Sequence, residues 1–229
     1  MRAEVMTLGT PNPRQREFLA CEKKYVAFGG ARGGGKSWAV RCKAKLLALR
    51  YAGIRILLVR RSLAELEANH LAFLRQELAD VAEYRAGERQ FRFCNGSVLQ
   101  FGYCGCDRDL DRYQGAEYDV IFLDEATQLK EQWMRQIAAC VRGVNDFPKR
   151  IYYTCNPGGP GHGYIKRLFI DRRFEDGEQP EDYAFIPARV TDNTALLARQ
   201  PDYLKTLEAL PYKLRRAWLE GRWDVFAGQ

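Results

Sequence analysis

Apolar positions along the chain follow two alternating periods. Tyr25-Val26-Ala27-Phe28 is an unbroken apolar run ending in glycines, the pattern of a strand buried on both faces. From Lys36 to about Ala52 apolar residues recur at helical spacing, and Gly53 closes the run. Ile54–Val59 reads as a second buried strand. Ser62 with Glu65 makes a capping box, which opens a helix expected to reach about Glu83. Phe91–Phe93 and Val98–Phe101 alternate on either side of Asn95-Gly96, a strong hairpin signal.

The same pattern continues. Asp119–Leu123 is a strand followed by a helix through about Cys140. Arg150–Thr154 is a strand followed by a glycine-proline loop from Asn156 to Gly163 and a helix to about Phe174. The polar stretch Asp176–Asp182 is the best internal boundary. Beyond it lie a strand near Tyr183–Ile186 and helices around Tyr203–Leu210 and Tyr212–Leu219. Strands alternating with helices predict an α/β domain of three layers with a mainly parallel sheet.

Composition narrows the class. At 229 residues, 46% hydrophobic and 28% charged, the chain has the make-up of an ordinary globular protein. That excludes disorder, collagen and coiled coil as descriptions of the whole. No apolar run approaches the roughly 20 residues of a membrane span, so no membrane is expected as a partner. Residues 1–15 lack the apolar core of a signal peptide, which predicts a soluble, intracellular chain. The net charge of +7 permits a polyanionic partner without demanding one. The seven cysteines are scattered, with no CxxC, and read as reduced core or strand residues; two histidines are too few for a histidine metal site.

Chemistry enters at Gly29-Gly30-Ala31-Arg32-Gly33-Gly34-Gly35-Lys36-Ser37, which contains G-x-x-x-x-G-K-S with Gly30 in first place. It follows a predicted strand and opens a predicted helix, the context a phosphate-binding loop requires. Glycines let backbone N–H groups converge on phosphate oxygens, and the helix N-terminus adds its positive end. Lys36 is placed to reach the β- and γ-phosphates and Ser37 to ligate Mg²⁺. Arg32, a bulky cation inside the loop, is expected to serve phosphate charge. The buried strand Val120–Leu123 ends in Asp124-Glu125. There Asp124 would hold Mg²⁺, usually through water, and Glu125 would polarise an attacking water. The guanine-reading NKxD motif is absent, which argues for ATP.

Two smaller signals accompany these. Gln15, about ten residues before the first strand, can hydrogen-bond both edges of adenine. Thr154-Cys155-Asn156-Pro157 ends a strand where polar side chains can sense the γ-phosphate.

On these residues the chain resembles the N-terminal ATPase domain of the large terminase subunit of tailed double-stranded-DNA bacteriophages. The likeness runs through Gln15, GGARGGGKS, YQGAEYDVIFLDEATQ, TCNP and the closing segment DNTALLARQPDYLKTLEALPYKLRRAWLEGRWDVFAG. The resemblance implies a RecA-like P-loop NTPase of the additional-strand, catalytic-glutamate type. It would comprise an ATPase core at residues 1–180 and a small C-terminal lid or linker subdomain at 181–229. It implies that ATP and Mg²⁺ are bound across Gln15, Gly30, Ala31, Arg32, Gly33, Gly34, Gly35, Lys36, Ser37 and Asp124. Arg32 would touch the γ-phosphate, and Thr154 and Asn156 would couple its state to the lid.

The family further implies packaging of double-stranded DNA by a ring, usually of five subunits, docked on a portal protein and assisted by a small terminase subunit. It would work in the cytoplasm of the infected host, transiently at the procapsid, and would not stay in the mature virion. Many relatives carry an arginine before the glycine preceding the Asp124 strand, where this chain has Gln114. The trans-acting arginine finger is therefore not identified by motif; Arg112 and Arg108 are the nearest candidates, with a solvated face the competing reading for each. Complete relatives continue into a nuclease, so the chain is expected to be the ATPase part and not to cleave DNA.

Candidate DNA contacts are the basic clusters Arg85/Arg89/Arg92, Lys149/Arg150, Lys166/Arg167, Arg172/Arg173 and Lys213/Arg215/Arg216. Trp218 and Trp223 are expected to pack the closing segment on the core. The competing readings are a helicase-like translocase, for which the chain is short, and a nucleotide-binding docking module with little turnover.

Overall fold

Eight strands form one sheet in the computed structural model, which describes residues 9–226. Residues 1–8, part of the segment read for a signal core, and 227–229, the end of the closing segment, lie outside the described residues. The strands are β1 (Tyr25–Gly30), β2 (Arg55–Arg60), β3 (Ala82–Arg85), β4 (Gln90–Phe93), β5 (Val98–Tyr103), β6 (Val120–Leu123), β7 (Arg150–Cys155) and β8 (Tyr183–Ala188). Their spatial order is β3-β4-β5-β2-β6-β7-β1-β8. From β5 to β8 all neighbours are parallel; β3 and β4 are added antiparallel at one edge.

The apolar runs fit this sheet because both of its faces are covered. Alternate residues of one strand enter opposite cores: Ile56 and Leu58 one, Leu57 and Val59 the other, with Val120 and Phe122 divided from Ile121 and Leu123 in the same way. The first core is closed by α1 (Pro13–Ala20), α2 (Lys36–Arg50), α3 (Leu63–Leu66) and α4 (Ala72–Glu77), through Phe18, Ala44, Leu66 and Leu74. The second is closed by α5 (Glu131–Ala138), α6 (His162–Ile165) and its π-helical continuation Lys166–Ile170, through Met134, Ile137, Ile165 and Phe169. Three layers result, as the alternation of elements predicts. Three short helices follow β8: α7 (Thr194–Arg199), α8 (Tyr203–Glu208) and α9 (Tyr212–Trp218).

Four local expectations are corrected. The helix opened by Ser62 passes through a π-helical turn, Glu67–Leu71, and ends before Leu78. Residues Ala82–Arg85 are strand β3, because pairing with β4 and the Tyr84–Phe91 ring contact at 4.8 Å outweigh the helical period. The helix after Asp124-Glu125 begins only at Glu131, since Glu125 turns left-handed (φ 52°) into a 3₁₀ turn, Ala126–Gln128. The helix expected to Phe174 ends at Ile170. Helix α7 adds an element that the periodicity does not reveal. Beyond the boundary at 180, β8 runs parallel along the whole of β1, so the sheet continues into the segment that follows it.

None of the seven cysteines is in a disulfide. Among the described residues no helix is long and apolar enough to cross a membrane, and no group of three or more His, Cys, Asp and Glu could hold a metal ion.

Candidate active site

Parallel strands bring their C-terminal ends to one edge, and the loops that leave them build a cleft there. β1 ends at Gly30 and α2 starts at Lys36, with the glycine loop between. Gly35 is the N-cap of α2, left-handed at φ 75°, and no side chain caps the helix, so its first amides point outward without a side-chain acceptor. A Cβ at Gly35 would stand 2.4 Å from Gln15 Nε2, so both space and φ require glycine. The loop is tied down from several sides. Ala31 N donates to Ala188 O (2.9 Å), Arg32 N to Trp218 O (2.8 Å), Asn193 Nδ2 to Gly33 O (2.7 Å) and Gln15 Nε2 to Gly35 O (3.0 Å).

The cleft measures about 510 Å³; Arg32 to Ser37 form one wall, with Glu125, Asn156, Asn193 and Tyr203 around it. Lys36 is buried, its Nζ donating to Ala31 O (2.5 Å) and Asn156 Oδ1 (2.8 Å). Burial lowers its pKa, partly offset by Glu125 and Asp124, and the nearby Arg32 lowers it further. Two cations thus flank the loop. Arg32 is exposed and its side chain makes no hydrogen bond or ion pair with the described residues; its guanidinium lies over the Trp218 ring at 3.3 Å. An anion in the cleft would satisfy both. Cys155 beside Lys36 stays protonated, since burial pushes its thiol up to about 12.

Opposite stand two carboxylates, of which Glu125 lines the cleft and Asp124 lies buried behind it. Asp124 is 1% exposed and fully bonded: Oδ1 accepts from Thr154 Oγ1 (2.5 Å), Oδ2 bonds His70 Nε2 (2.8 Å), and Arg60 Nη1 stands 3.4 Å away. Burial alone would raise its pKa, but His70, Arg60 and Thr154 together hold it well below the ordinary carboxylate range. The left-handed turn at Glu125 directs the next carboxylate into the cleft, 39% exposed and 2.9 Å from Arg60 Nη2. Its amide donates to Thr154 Oγ1 at 2.8 Å, so one hydroxyl fixes both residues. The ionised Asp124 and the Ser37 hydroxyl are hard oxygen donors, and this donor chemistry fits Mg²⁺.

Of the expected residues, Arg32 to Ser37, Glu125 and Asn156 line the cleft, and the others do not. Gln15 lies behind the loop with its amide committed to the protein. Its Oε1 accepts from Asn12 N in the capping box of α1 and its Nε2 reaches Gly35 O, so both edges are bonded away from the cleft. Asn156 faces the cleft and Thr154 lies behind it. Arg108 and Arg112 sit apart, on the 3₁₀ helix Asp107–Tyr113 after β5; Arg112 pairs with Asp109 (3.2 Å) and stacks on Tyr103 (4.1 Å), and Arg108 is exposed.

Much of the basic charge is internally compensated. Arg85 and Arg92 pair with Glu88, Lys149 with Asp119, Lys166 with Asp171 and Arg167 with Glu178. Trp223 packs the closing segment against His162 at 5.2 Å, as expected, whereas Trp218 meets Arg32 instead of the core. Sequence reasoning missed four contributors: Arg60, His70, Asn193 and Trp218. Of these only Arg60 carries a local signal, as a charge at the end of a buried strand.

The family described as terminase large subunit, T4likevirus-type, N-terminal, matches residues 27–224. The chain belongs to this family. No curated protein sequence matches it. Among solved structures it is similar to the large terminase of a thermophilic bacteriophage in complex with ADP. The TM-score is 0.75 at 16% identity, over 93% of this chain and 53% of that one. A mutant of the Thermus phage P74-26 large terminase ATPase domain superposes with TM-score 0.69 at 16% identity, covering 93% and 94% of the two chains. The N-terminal domain of the bacteriophage phi29 DNA-packaging ATPase gives 0.54 at 18%, covering 78% and 96%. The likeness establishes the RecA-like P-loop fold expected for a terminase. The chain spans about half the length of the thermophilic-phage protein.

Proposed function

We propose that this terminase domain hydrolyses ATP to drive double-stranded DNA into a procapsid. The observation that carries the reading is the convergence on one cleft of the uncapped α2 N-terminus, the cations Lys36 and Arg32, and the carboxylate of Glu125. The thermophilic-phage relative has been crystallised with ADP and with ATP-gamma-S, which supports a nucleotide as the occupant.

In this reading the α2 amides and Lys36 take the phosphates, and Arg32 meets the terminal one. Lys36 then exchanges its bond with Asn156 Oδ1 for a phosphate oxygen, and the freed Asn156 carries that change into the β7 loop. Ser37 and Asp124 are the residues that would hold Mg²⁺, which supplies charge neutralisation between phosphates when bound. Glu125 orients and deprotonates the attacking water once it turns from Arg60. Gln15 acts on the nucleotide through the loop, by fixing Gly35.

The segment from residue 181 onward serves as the lid, because Ala188, Asn193 and Trp218 hold the loop. DNA, a ring of copies, the portal and the small subunit are the partners of this function, in the host cytoplasm and at the procapsid. Arg108 and Arg112 are the candidate residues toward a neighbouring subunit. On helix α9, Lys213 and Arg215 make no ion pair with the described residues and remain candidate phosphate contacts.

Calorimetric titration with ATP-gamma-S tests the site. Wild type binds, and Lys36→Ala loses binding by at least about 100-fold. Binding at wild-type affinity by the variant would refute the assignment.

A further inference from the structure

Helix α9 grips Arg32 twice. The guanidinium carbon lies 3.3 Å over the Trp218 indole, and the Arg32 amide donates to the Trp218 carbonyl at 2.8 Å. Stacking engages only the face of the guanidinium. Its five N–H donors lie in the guanidinium plane, and none has an acceptor among the described residues, although the side chain lines the cleft. The indole therefore orients an unsatisfied donor edge and removes much of the rotamer freedom of an exposed arginine.

The chain after α9 also returns to the other end of the same loop. A Cβ at Gly221 would stand 3.1 Å from the Gly30 carbonyl carbon, and Gly221 takes φ 71°, so only glycine allows this approach. The closing segment thus embraces the glycine loop at Gly30 and at Arg32, with Trp218 the side chain that meets the cation.

We propose that Trp218 is a positioning residue of the nucleotide site: its indole holds the plane of Arg32 so that the N–H edge faces the terminal phosphate. Helix α9 then follows Arg32 as that phosphate is gained or lost. The inference rests on the nucleotide reading above and adds a residue to it. In that reading Arg32 meets the phosphate that ADP lacks, so the effect falls mainly on the triphosphate.

The test compares ATP-gamma-S and ADP affinities of the whole chain by calorimetry, in wild type, Trp218→Leu, Trp218→Phe, Arg32→Ala and the double variant Arg32→Ala/Trp218→Leu. Trp218→Leu is expected to weaken ATP-gamma-S by about five-fold and ADP by less than about two-fold, while Trp218→Phe keeps most of the discrimination. In the Arg32→Ala background the leucine substitution adds nothing further.

Should Trp218→Leu not fold, tryptophan emission at saturating nucleotide still decides, read in a Trp38→Phe background that removes the tryptophan lining the cleft. It changes with ATP-gamma-S, and Arg32→Ala abolishes that change. Equal weakening of both nucleotides, no weakening of either, or full additivity with Arg32→Ala overturns the role of Trp218 alone. Failure of wild type to bind either nucleotide overturns the nucleotide reading and this inference with it.

Discussion

Thr154 donates its hydroxyl to the Asp124 carboxylate at 2.5 Å and accepts the Glu125 amide at 2.8 Å with the same oxygen. A residue at the end of β7 therefore sets the geometry of both carboxylates at the end of β6, beneath the surface of the cleft. Replacing it with valine keeps the shape and removes both bonds, leaving a buried carboxylate oxygen and an amide without a partner. Thr154→Val is expected to cost about 2–3 kcal/mol of unfolding free energy in urea titrations, and Thr154→Ser to recover most of it. Equal stability of the valine variant and wild type would contradict the bracing role.

His70 reaches Asp124 from the π-helical turn Glu67–Leu71, fully buried and 2.8 Å away. It stands behind a residue expected to hold Mg²⁺. Outer contacts of this kind typically change metal affinity by about ten-fold or more. His70→Phe should therefore raise the Mg²⁺ concentration needed for half-maximal phosphate release by about ten-fold. His70→Gln, which keeps a donor, should raise it less. An unchanged Mg²⁺ requirement in both would remove His70 from the site.

Lys43 closes the C-terminal end of α1, donating to Leu19 O (2.5 Å) and Cys21 O (3.2 Å). Burial, reinforced by Arg150, lowers its pKa to about 8. The unfolded chain, with an ordinary lysine near about 10.4, binds more protons between those two values, so stability rises with pH in that window. Below it both states carry the proton and the pH dependence vanishes. The stability of wild type relative to Lys43→Met is expected to grow by about 1–2 kcal/mol from about pH 7.5 to about pH 9.5 in urea titrations. A constant difference would contradict the lowered pKa.

The legible parts of this molecule are those in which one short stretch fixes both backbone and chemistry. The glycine loop from Gly30 to Ser37 carries its conformation in its own residue types, and Asp124-Glu125 inherits its position from the buried strand before it. The layered sheet is equally readable, because continuous apolar runs occur only where both faces are covered. What escapes comes from elements distant in sequence. His70 and Asn193 are common residue types whose roles arise when a π-helical turn and a loop after β8 arrive at the cleft. Gln15 is legible as a residue of this neighbourhood but its contacts are not, since its amide serves the α1 cap and the Gly35 carbonyl. The helix read to about Glu83 overruns the start of β3, because Ala82-Glu83 fits either period and only pairing with β4 decides between them.

The central claim is that Glu125, facing the cleft beside the phosphate-binding loop, performs hydrolysis. Phosphate release from ATP and Mg²⁺ by wild type and Glu125→Gln, measured with and without DNA and procapsids, tests it most directly. Release should fall by at least about 100-fold in the variant while ATP-gamma-S affinity is retained. Equal release by the two proteins under every condition would contradict the account and leave a nucleotide-binding docking module in its place.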